Sequence, residues 1–588
     1  MTFTTRPTLR GTFGMVSSTH WLASQSAMRI LELGGNAFDA GAAAGFVLHV
    51  VEPHLNGPGG EVPAIIATAD DPTPRVLCGQ GVAPAGATIE HYRSLGLSLV
   101  PGSGPLAATV PGAVDAWLLL LRDHGTLPLS VVLEPAIDYA RNGHPLVPRV
   151  ADTIATVQQL FEEHWPTSAA VWLKDGRPVT GRFSNEAYAA TLEKLVRAGQ
   201  AAGADRQAQL ERAREVWREG FVAEAIDRFS RLPHRDSSGG DHAGLITGDD
   251  MAAFRASWED AATYDWNGYT VAKTGPWGQG PALLQSLAVL AALGDVDLDS
   301  ADGVHATVEV MKLSYADREA WYGDGADVPL ETLLSPTYAA DRAKLVGSEA
   351  SLELRPGSPE GRTPVLSSVA AGKETDATGD ATTGEPTVSP VGETRGDTCH
   401  VDVVDQWGNM ISATPSGGWL QSSPTIPELG FCLGSRAQMF WLEEGLPASL
   451  APGRRPRTTL TPTLVLRDGE PVMACGSPGG DQQDQWQLLF LLRHLAAGME
   501  LQEAIDAPAW HTTGFPSSFY PRTTEPGGLV IESRVEKAVR DELVRRGHVV
   551  SESDPWSLGR LCAVRKETDG VLAAAANPRG MQGYAVGR

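Results

Sequence analysis

The sequence contains little cysteine, and its cysteines are far apart. Only five cysteines occur among 588 residues, and none of them forms a CxxC motif. An odd and widely spaced set argues against a disulfide framework or a zinc ribbon and favours a reducing compartment. The first twenty or so residues also lack the apolar core of a secretion signal, so we expect a cytoplasmic protein.

Two further absences narrow the functional classes. No run approaches the length of about 18 apolar residues that a transmembrane helix needs. Acidic residues outnumber basic ones: the chain has 71 Asp and Glu and 47 Lys and Arg, which gives a net charge of −24. Nucleic acids and anionic membranes attract basic surfaces, so we expect neither as a partner.

Helical and strand patterns both occur and predict a mixed α and β protein. Apolar residues recur at helical spacing over 20–52, with a stop at Gly34-Gly35, and again over 112–125 and 304–324. Strand-like runs dominate after residue 398, and a C-terminal hairpin is expected within 559–580. We predict that the sheets and helices segregate into layers.

Residues 351–397 differ in composition from the rest of the chain. The run 351–396 is rich in Gly, Ser, Thr, Pro, Asp and Glu and has no aromatic residue. Such a segment buries too little apolar surface to offset its conformational entropy. We therefore predict a disordered or loosely held linker over 351–397.

A predicted hairpin begins directly after this linker. Residues alternate in 398-TCHVDVVD-405, a turn follows in 405-DQWGN-409, and a second strand covers 410–414. A turn centred near Trp407 pairs residues whose numbers sum to about 814, so Thr398 should face Ser416 at a Cβ separation of roughly 5 Å. Cys399 should point to the opposite face of the sheet.

A Thr behind a flexible tether can become an N-terminal nucleophile. Its Oγ attacks the preceding carbonyl, here that of Asp397, in an N→O acyl shift, and water then releases the ester. The new N-terminus carries a hydroxyl and an α-amine, and the amine has an ordinary pKa of about 7.7–8.0, so it can act as a base near neutral pH. The alternative is that 396–398 is only a loop that enters a strand.

A second glycine-rich run suggests a partner for this chemistry. In 473-MACGSPGGDQQ-483, a strand-like segment leads through Gly479 and Gly480 into a predicted helix. Consecutive backbone N–H groups at such a turn can form an oxyanion hole. The alternative is an ordinary tight turn.

These motifs together resemble the processing site of the gamma-glutamyltransferases, a family of N-terminal-nucleophile hydrolases. The resemblance spans nearly the whole chain and includes, in order, 34-GGNAFDA-40, 53-PHLNGPGG-60, 109-TVPGAVDAW-117, 244-GLITGDDMAAF-254, 314-SYADR-318, 455-RPRTTLTPT-463, 476-GSPGG-480 and 577-NPRG-580. It implies an α+β fold, a four-layer αββα sandwich with an extra helical region in the large subunit. It also implies a precursor that cuts itself between Asp397 and Thr398 into parts 1–397 and 398–588, which stay associated as one αββα unit.

The resemblance also implies roles for individual residues. Thr398 matches the nucleophile and Ser416 the assisting hydroxyl, while Gly479 and Gly480 match the oxyanion-hole glycines. A substrate carboxylate would be held where the family usually has two serines, which are Thr458 and Thr459 here.

Three departures from the family pattern concern the substrate. Gln80 stands where the family has an Arg for the glutamyl α-carboxylate, and Gly418 stands where it has an Asn. Trp441 stands where an acidic residue usually pairs with the α-amine. Because a guanidinium–carboxylate pair is bidentate and charge-assisted, its loss removes most of the charge recognition of a glutamyl group.

Other polar residues have alternative interpretations. Arg436 and Arg457 are candidates for a replacement cation, or are structural groups. His305 and Glu309 lie four residues apart on one predicted helix, but without a third clustered ligand we expect no metal. His400 is interpreted as a hydrogen-bonded strand residue.

We therefore expect a self-processing amide hydrolase or acyltransferase that acts through an acyl-enzyme on Thr398 and transfers the acyl group to water or an amine. No cofactor is expected, the substrate is a small amide, and a homodimer is left open. Glutathione is disfavoured as a substrate. The alternatives are an amidohydrolase for an oxamate-like amide or a β-lactam side chain, and a non-catalytic relative that binds a metabolite and stays uncut.

Overall fold

The structure is a computed structural model that describes residues 3–325, 327–372 and 398–588. These residues contain 23 strands and 18 α-helices. The strands are β1 (Leu9–Gly11), β2 (Gly14–Ser18), β3 (Val62–Ala67), β4 (Arg75–Gly79), β5 (His144–Pro145), β6 (Leu173–Lys174), β7 (Arg177–Pro178), β8 (Arg182–Phe183), β9 (His234–Arg235), β10 (Asp241–His242), β11 (Ser257–Asp260), β12 (Ala262–Trp266), β13 (Tyr269–Lys273), β14 (Val401–Asp405), β15 (Met410–Ala413), β16 (Thr463–Arg467), β17 (Glu470–Gly476), β18 (Trp510–Thr512), β19 (Gly528–Glu532), β20 (Val549–Ser553), β21 (Cys562–Lys566), β22 (Leu572–Ala576) and β23 (Tyr584–Gly587).

The helices are α1 (Trp21–Glu32), α2 (Ala37–Val51), α3 (Ile89–Ser94), α4 (Ala113–His124), α5 (Leu129–Asn142), α6 (Pro148–Glu163), α7 (Pro166–Trp172), α8 (Glu186–Gln200), α9 (Arg206–Glu219), α10 (Phe221–Ser230), α11 (Gly248–Ala253), α12 (Gly280–Leu293), α13 (Ala301–Trp321), α14 (Leu330–Leu333), α15 (Pro336–Ala343), α16 (Gln483–Leu491), α17 (Leu501–Asp506) and α18 (Lys537–Arg545).

Two seven-stranded antiparallel sheets form the centre of the fold. Sheet I has the order β1-β22-β21-β17-β16-β13-β12, and sheet II has the order β11-β4-β3-β15-β14-β2-β23. A smaller sheet, β18-β19-β20, lies to one side. The alternation of side chains decides which face of each strand is buried against which layer.

Residues of β14 show how the layers are built. Val401 and Val403 point into a core formed with helices α1, α2, α4 and α5, on the outer face of sheet II. Val404 points the other way, into a core between the sheets that it shares with Leu464 and Ala474 of sheet I. Helices α12, α13 and α15 to α18 cover the outer face of sheet I. The layer order is helix, sheet, sheet, helix, which confirms the predicted αββα sandwich.

Both sheets combine strands from before and after residue 398. In sheet I, β13 pairs with β16 and β1 pairs with β22. In sheet II, β2 and β3 pair with β14 and β15, respectively. Neither sheet is complete without strands from both sides of residue 398, so both sides contribute to one folded unit.

Several local predictions are confirmed. Helix α2 begins after Asn36, whose side chain accepts from the N–H groups of Phe38 and Asp39, and Asp39 accepts from the Asn36 N–H in return. Gly34 takes a φ of 89° in the break between α1 and α2. This reciprocal capping explains why the apolar pattern over 20–52 forms two helices.

The predicted register of the hairpin is also confirmed. Val401 pairs with Ala413 and Val404 with Met410, so paired numbers sum to 814. The carboxylate of Asp405 accepts from the backbone N–H groups of Trp407 and Asn409 at 3.0 Å each, which fixes the turn.

The structure describes the first part of the predicted linker. Residues 351–372 pack on the body: the Ser351 N–H donates to Glu309, and the Ser368 N–H donates to Glu443 at 2.9 Å. The prediction of disorder is therefore wrong for 351–372. Residues 373–397, including Asp397, lie outside the described residues. Among the described helices, none has the length and apolar character that crossing a bilayer requires.

Candidate active site

One end of the sandwich gathers the predicted site residues. Chain segments leave or enter both sheets there, after β4, β15 and β17 and before β14, β16 and β21. The two sheets approach closely at this end, because a Cβ added to Gly476 would lie 2.1 Å from the His400 ring. Any side chain at position 476 of β17 would collide with that ring. Gly476 therefore allows the two sheets to pack closely here.

Thr398 and Ser416 face each other at this end. They form an antiparallel bridge beyond the ends of β14 and β15, and their hydroxyl oxygens are 3.2 Å apart. Both residues are buried. The sequence prediction that these two hydroxyls meet is confirmed.

Arg436 joins this pair through Ser416. Its Nη2 donates to Ser416 Oγ at 2.8 Å, and its Nε donates to the carboxylate of Glu61 at 2.6 Å. Glu61 is held beside Ser416 by two backbone hydrogen bonds of 2.9 and 3.0 Å. Burial raises the pKa of Glu61, and the charge of Arg436 opposes that shift. Arg436 therefore belongs to the site, and Glu61 is a residue that the sequence interpretation missed although it follows 53-PHLNGPGG-60.

Cys399 and His400, which follow Thr398, both make structural hydrogen bonds. His400 bonds to Thr414 Oγ1 at 3.0 Å and to Asp402 at 2.8 Å, as expected for a hydrogen-bonded strand histidine. Cys399 points to the other face and donates to Glu52 at 2.9 Å. Burial, with the nearby Glu52 charge, raises the pKa of the Cys399 thiol well above its ordinary value. A thiol in that state is a poor nucleophile at neutral pH.

The glycine loop after β17 is held by helix α13. Gly479 has a φ of 126° and Gly480 a φ of 53°, which favour glycine. The next residue, Asp481, is paired with Arg318, and it accepts from the N–H and hydroxyl of Ser518 at 2.8 and 2.6 Å. This ionic anchor fixes the backbone of the loop.

The N–H of Gly480 faces a side-chain amide. With its amide oriented to satisfy both neighbours, Gln483 accepts from the Gly480 N–H at 3.3 Å and donates to the Ser477 carbonyl at 3.0 Å. An oxyanion bound by Gly480 would replace this amide as the acceptor.

Three predicted substrate residues lie on loops at the same end. Gln80 follows β4, and its Oε1 is buried without a hydrogen-bond partner among the described residues. Thr459 Oγ1 is likewise buried without a partner in that part of the chain, whereas Thr458 Oγ1 accepts from the Leu460 N–H at 3.3 Å. Gln80 and Thr459 thus retain unused polar atoms.

Gly418 and Trp441 occupy two different environments. Gly418 has a φ of 65°, and a Cβ there would lie 2.8 Å from the Gly60 backbone nitrogen. A side chain at 418 would collide with this backbone, so the position offers only main-chain atoms. Trp441 is buried against Leu99, and the Arg522 guanidinium lies 4.2 Å from its ring centroid.

Other predicted groups are bound to partners of their own. Arg457 donates to Glu319 at 2.6 Å and is a structural cation. His305 and Glu309 are joined by His548, which the sequence interpretation missed, and their ligand atoms all lie within 4.8 Å of one another. Glu309 is also paired with Lys312 and Arg355.

Comparison with known proteins agrees with this geometry. The family model described as gamma-glutamyltranspeptidase matches residues 23–587. The chain belongs to this family. Among curated relatives, it is 32% identical to the glutathione hydrolase-like YwrD proenzyme of Bacillus subtilis, over 98% of this chain and 99% of that protein. It is 31% identical to the oxamate amidohydrolase proenzyme of Klebsiella pneumoniae, over 97% of both proteins.

Solved structures share the fold over the whole chain. LmbA2991HD superposes with a TM-score of 0.94 at 60% identity and covers 100% of both chains. The cephalosporin acylase from Bacillus halodurans superposes with a TM-score of 0.82 at 26% identity, covering 100% of this chain and 97% of that one. The chain is therefore an enzyme of the N-terminal-nucleophile type, a self-processing amide hydrolase or acyltransferase.

Proposed function

We propose that Thr398, freed by cleavage after Asp397, is the nucleophile of an amide hydrolase whose acyl group is not γ-glutamyl. The observation that carries the proposal is the chain of contacts from Arg436 through Ser416 to Thr398, 2.8 and 3.2 Å long. These three groups are buried at the end of the sandwich where the glycine loop also lies.

The proposed reaction proceeds through an ester. The freed α-amine of Thr398 takes the proton of its own hydroxyl as Oγ1 attacks the amide carbonyl. The backbone N–H groups of Gly479 and Gly480 hold the negative oxygen of the tetrahedral intermediate. The protonated amine then gives its proton to the leaving amine, and the acyl group remains on Oγ1. Water, or a second amine, attacks the ester in the same way and restores the hydroxyl.

Arg436 acts on this reaction through Ser416. Its N–H occupies one lone pair of Ser416 Oγ, which makes the Ser416 hydroxyl a stronger donor toward Thr398 Oγ1. Charge-assisted hydrogen bonds of this kind are about twice as strong as neutral ones. Such a donor stabilises negative charge at Oγ1 during attack and again when the ester breaks.

The proposed substrate is a small amide without a γ-glutamyl group. Gln80 carries no charge for an α-carboxylate, and Gly418 offers no side chain. Trp441 cannot pair with an ammonium as a carboxylate would. Two charged contacts of a glutamyl group are therefore missing, and we propose that glutathione is hydrolysed poorly. The alternatives remain an oxamate-like amide or the side chain of a β-lactam.

We also propose that the two fragments stay associated in the cytoplasm. The two parts share both sheets, so separating them would break seven-stranded hydrogen-bonded layers. All five cysteines are unpaired and buried, which fits a reducing compartment.

The test is the intact mass of purified protein on a denaturing gel and by mass spectrometry. Wild type should give chains of 1–397 and 398–588, and Thr398→Ser should also cut because it keeps the hydroxyl. Thr398→Ala should stay as one chain without amide turnover. A Thr398→Ala protein that splits or hydrolyses amides would refute the assignment, and a stable uncut wild type would favour the non-catalytic relative.

A further inference from the structure

Arg560 lies at the same end of the sandwich as the glycine loop. Cys562 of β21 pairs with Gly476 of β17, so Arg560 extends one step beyond the paired strands. Its backbone N–H donates to Ser477 Oγ at 3.3 Å. Alternation along β21 points Arg560 to the same side as Cys562, which is the side that faces sheet II.

The guanidinium of Arg560 is buried without a hydrogen bond. Arg560 is only 2% exposed, yet its Nε, Nη1 and Nη2 have no hydrogen-bond partner in the described ranges. Arg318, Arg436 and Arg457 are equally buried, and each is paired with a carboxylate. Five unpaired N–H donors on a buried charge are costly, so their retention calls for an explanation.

Arg560 has an acidic neighbour, Glu52, that makes no hydrogen bond with it. Its charge acts on the pKa of Glu52 and of Cys399, so the guanidinium lies near both. Glu52 accepts instead from Thr19 Oγ1 at 2.7 Å and from Cys399 Sγ at 2.9 Å, and its other oxygen accepts from Gln582. Neutral donors thus occupy both oxygens of Glu52, and none of these hydrogen bonds comes from the guanidinium.

Two histidines add unpaired donors to the same neighbourhood. His20 Nδ1 accepts from the Leu22 N–H at 3.1 Å, which puts its proton on Nε2, and that atom is buried without a partner among the described residues. Both ring nitrogens of His54, in 53-PHLNGPGG-60, are also buried without a partner there. Burial and nearby positive charge, from Arg560 and Arg149, lower the pKa of His54 well below its ordinary value, so the ring is neutral.

We infer that Arg560, with the ring N–H groups of His20 and His54, binds a carboxylate of the substrate. The unpaired N–H groups of Arg560, His20 and His54, together with the charge of the guanidinium, are what a carboxylate matches. The Arg560 backbone contacts Ser477, which lies two residues before Gly479, so a carboxylate held by Arg560 would lie at the end of the sandwich that carries Thr398 and the glycine loop. The inference rests on the proposed function and names its substrate class as an amide that carries an anionic group. Arg560 would hold that group, because this chain has Gln80 where the family has an arginine.

The test compares three anilides by kcat/KM. Butyryl-p-nitroanilide is neutral, succinyl-p-nitroanilide carries a carboxylate on the acyl side, and butyryl-3-carboxy-4-nitroanilide carries one on the amine side. Wild type should prefer one of the two anionic substrates over the neutral one by about 10- to 100-fold, the range expected for hydrogen bonds to a charged group. Arg560→Met should lower kcat/KM for the preferred anionic anilide to within a few fold of the value for the neutral anilide.

Two controls separate recognition from folding. Arg467→Met removes an arginine whose side chain is 51% exposed on the same sheet and should leave all three rates unchanged. Arg560→Met should mature into two chains and melt at or above the wild-type temperature, because an apolar residue replaces an unpaired buried charge. A purely structural arginine would instead lower the melting temperature.

The outcomes also separate this inference from the proposed function. If the cut enzyme hydrolyses the neutral anilide and Arg560→Met keeps the wild-type anionic preference, or no preference exists, only the carboxylate subsite is refuted. An uncut wild type, or a cut enzyme inert toward all three anilides, counts against the proposed function and the inference that rests on it.

Discussion

Arg436 Nη2 lies 2.8 Å from Ser416 Oγ, which in turn lies 3.2 Å from Thr398 Oγ1. The guanidinium is held by Glu61, so its position does not depend on substrate. The Ser416 hydroxyl therefore contacts both a fixed cationic donor and a second hydroxyl. This arrangement makes Ser416 the first residue to test.

Ser416→Ala should slow both self-cleavage and turnover by about 10- to 100-fold, in line with the loss of one hydrogen bond to developing charge. Time courses of precursor mass and of amide hydrolysis measure the two effects. Ser423→Ala is the matched control, because Ser423 Oγ is buried without a hydrogen-bond partner among the described residues. Equal rates for the Ser416 and Ser423 variants would contradict a role for Ser416.

The sequence predicts the hairpin at this site well because its determinants are local. Alternation in 398–405 and the turn at 405–409 set the register that places Thr398 opposite Ser416. Arg436 and Arg560 reach the site through long connections, and no local pattern states where a distant arginine will lie. The same reason hides the contact of His548 with His305.

The ordered packing of residues 351–372 was missed for a related reason. Composition predicts whether a segment can form its own core, and 351–372 cannot. It is ordered because α13 and α15 offer partners to its backbone, such as Asp317 for the Gly357 N–H at 2.5 Å and Arg342 for the Arg355 carbonyl. The order of this segment therefore depends on its contacts with the rest of the fold and not on its own composition.

Gly476→Ala should block maturation. A Cβ there would lie 2.1 Å from the His400 ring, and that ring is locked by Asp402 and Thr414. The sheets must then separate or the ring must leave its partners, so we expect an uncut or insoluble chain.

Gly248→Ala is the control for this change. No atom lies within 4 Å of a Cβ at Gly248, which is in the first turn of α11. This variant should mature normally and gain up to about 1 kcal/mol, because Ala loses less conformational entropy than Gly in a helix. Normal maturation of Gly476→Ala, measured by intact mass, would show that the sheets tolerate more separation than this packing implies.

The native enzyme should resist thiol reagents at pH 8. All five cysteines are buried, and burial raises the pKa of each thiol, to about 11 for Cys78 and about 12 for Cys432. We expect no iodoacetamide adduct by mass spectrometry on the folded protein and five adducts after denaturation in urea. Inactivation that tracks labelling of Cys399 would contradict its assignment as a structural hydrogen-bond donor to Glu52.

Asp481→Asn should destabilise the glycine loop in a pH-dependent way. Burial alone would raise the pKa of Asp481, but the charge of Arg318 and hydrogen bonds from Ser518 outweigh it and hold the pKa below its ordinary value. A lowered carboxyl pKa contributes stability that is present above the unfolded value of about 3.9 and is lost as the pH falls through the folded value.

At pH 7, removing the carboxylate leaves Arg318 with one buried partner fewer, which should cost about 3–5 kcal/mol. The difference between Asp481→Asn and its parent should shrink as the pH falls below about 4, because the parent then loses the same charge. Urea unfolding measures the free energy of unfolding at pH 7 and at low pH. The uncut Thr398→Ala background allows this on a single chain. Asp541→Asn, in an exposed pair with Lys537, should change stability by at most about 1 kcal/mol at either pH. A penalty for Asp481→Asn that is independent of pH would mean that shape, and not the carboxylate charge, holds the loop that carries Gly479 and Gly480.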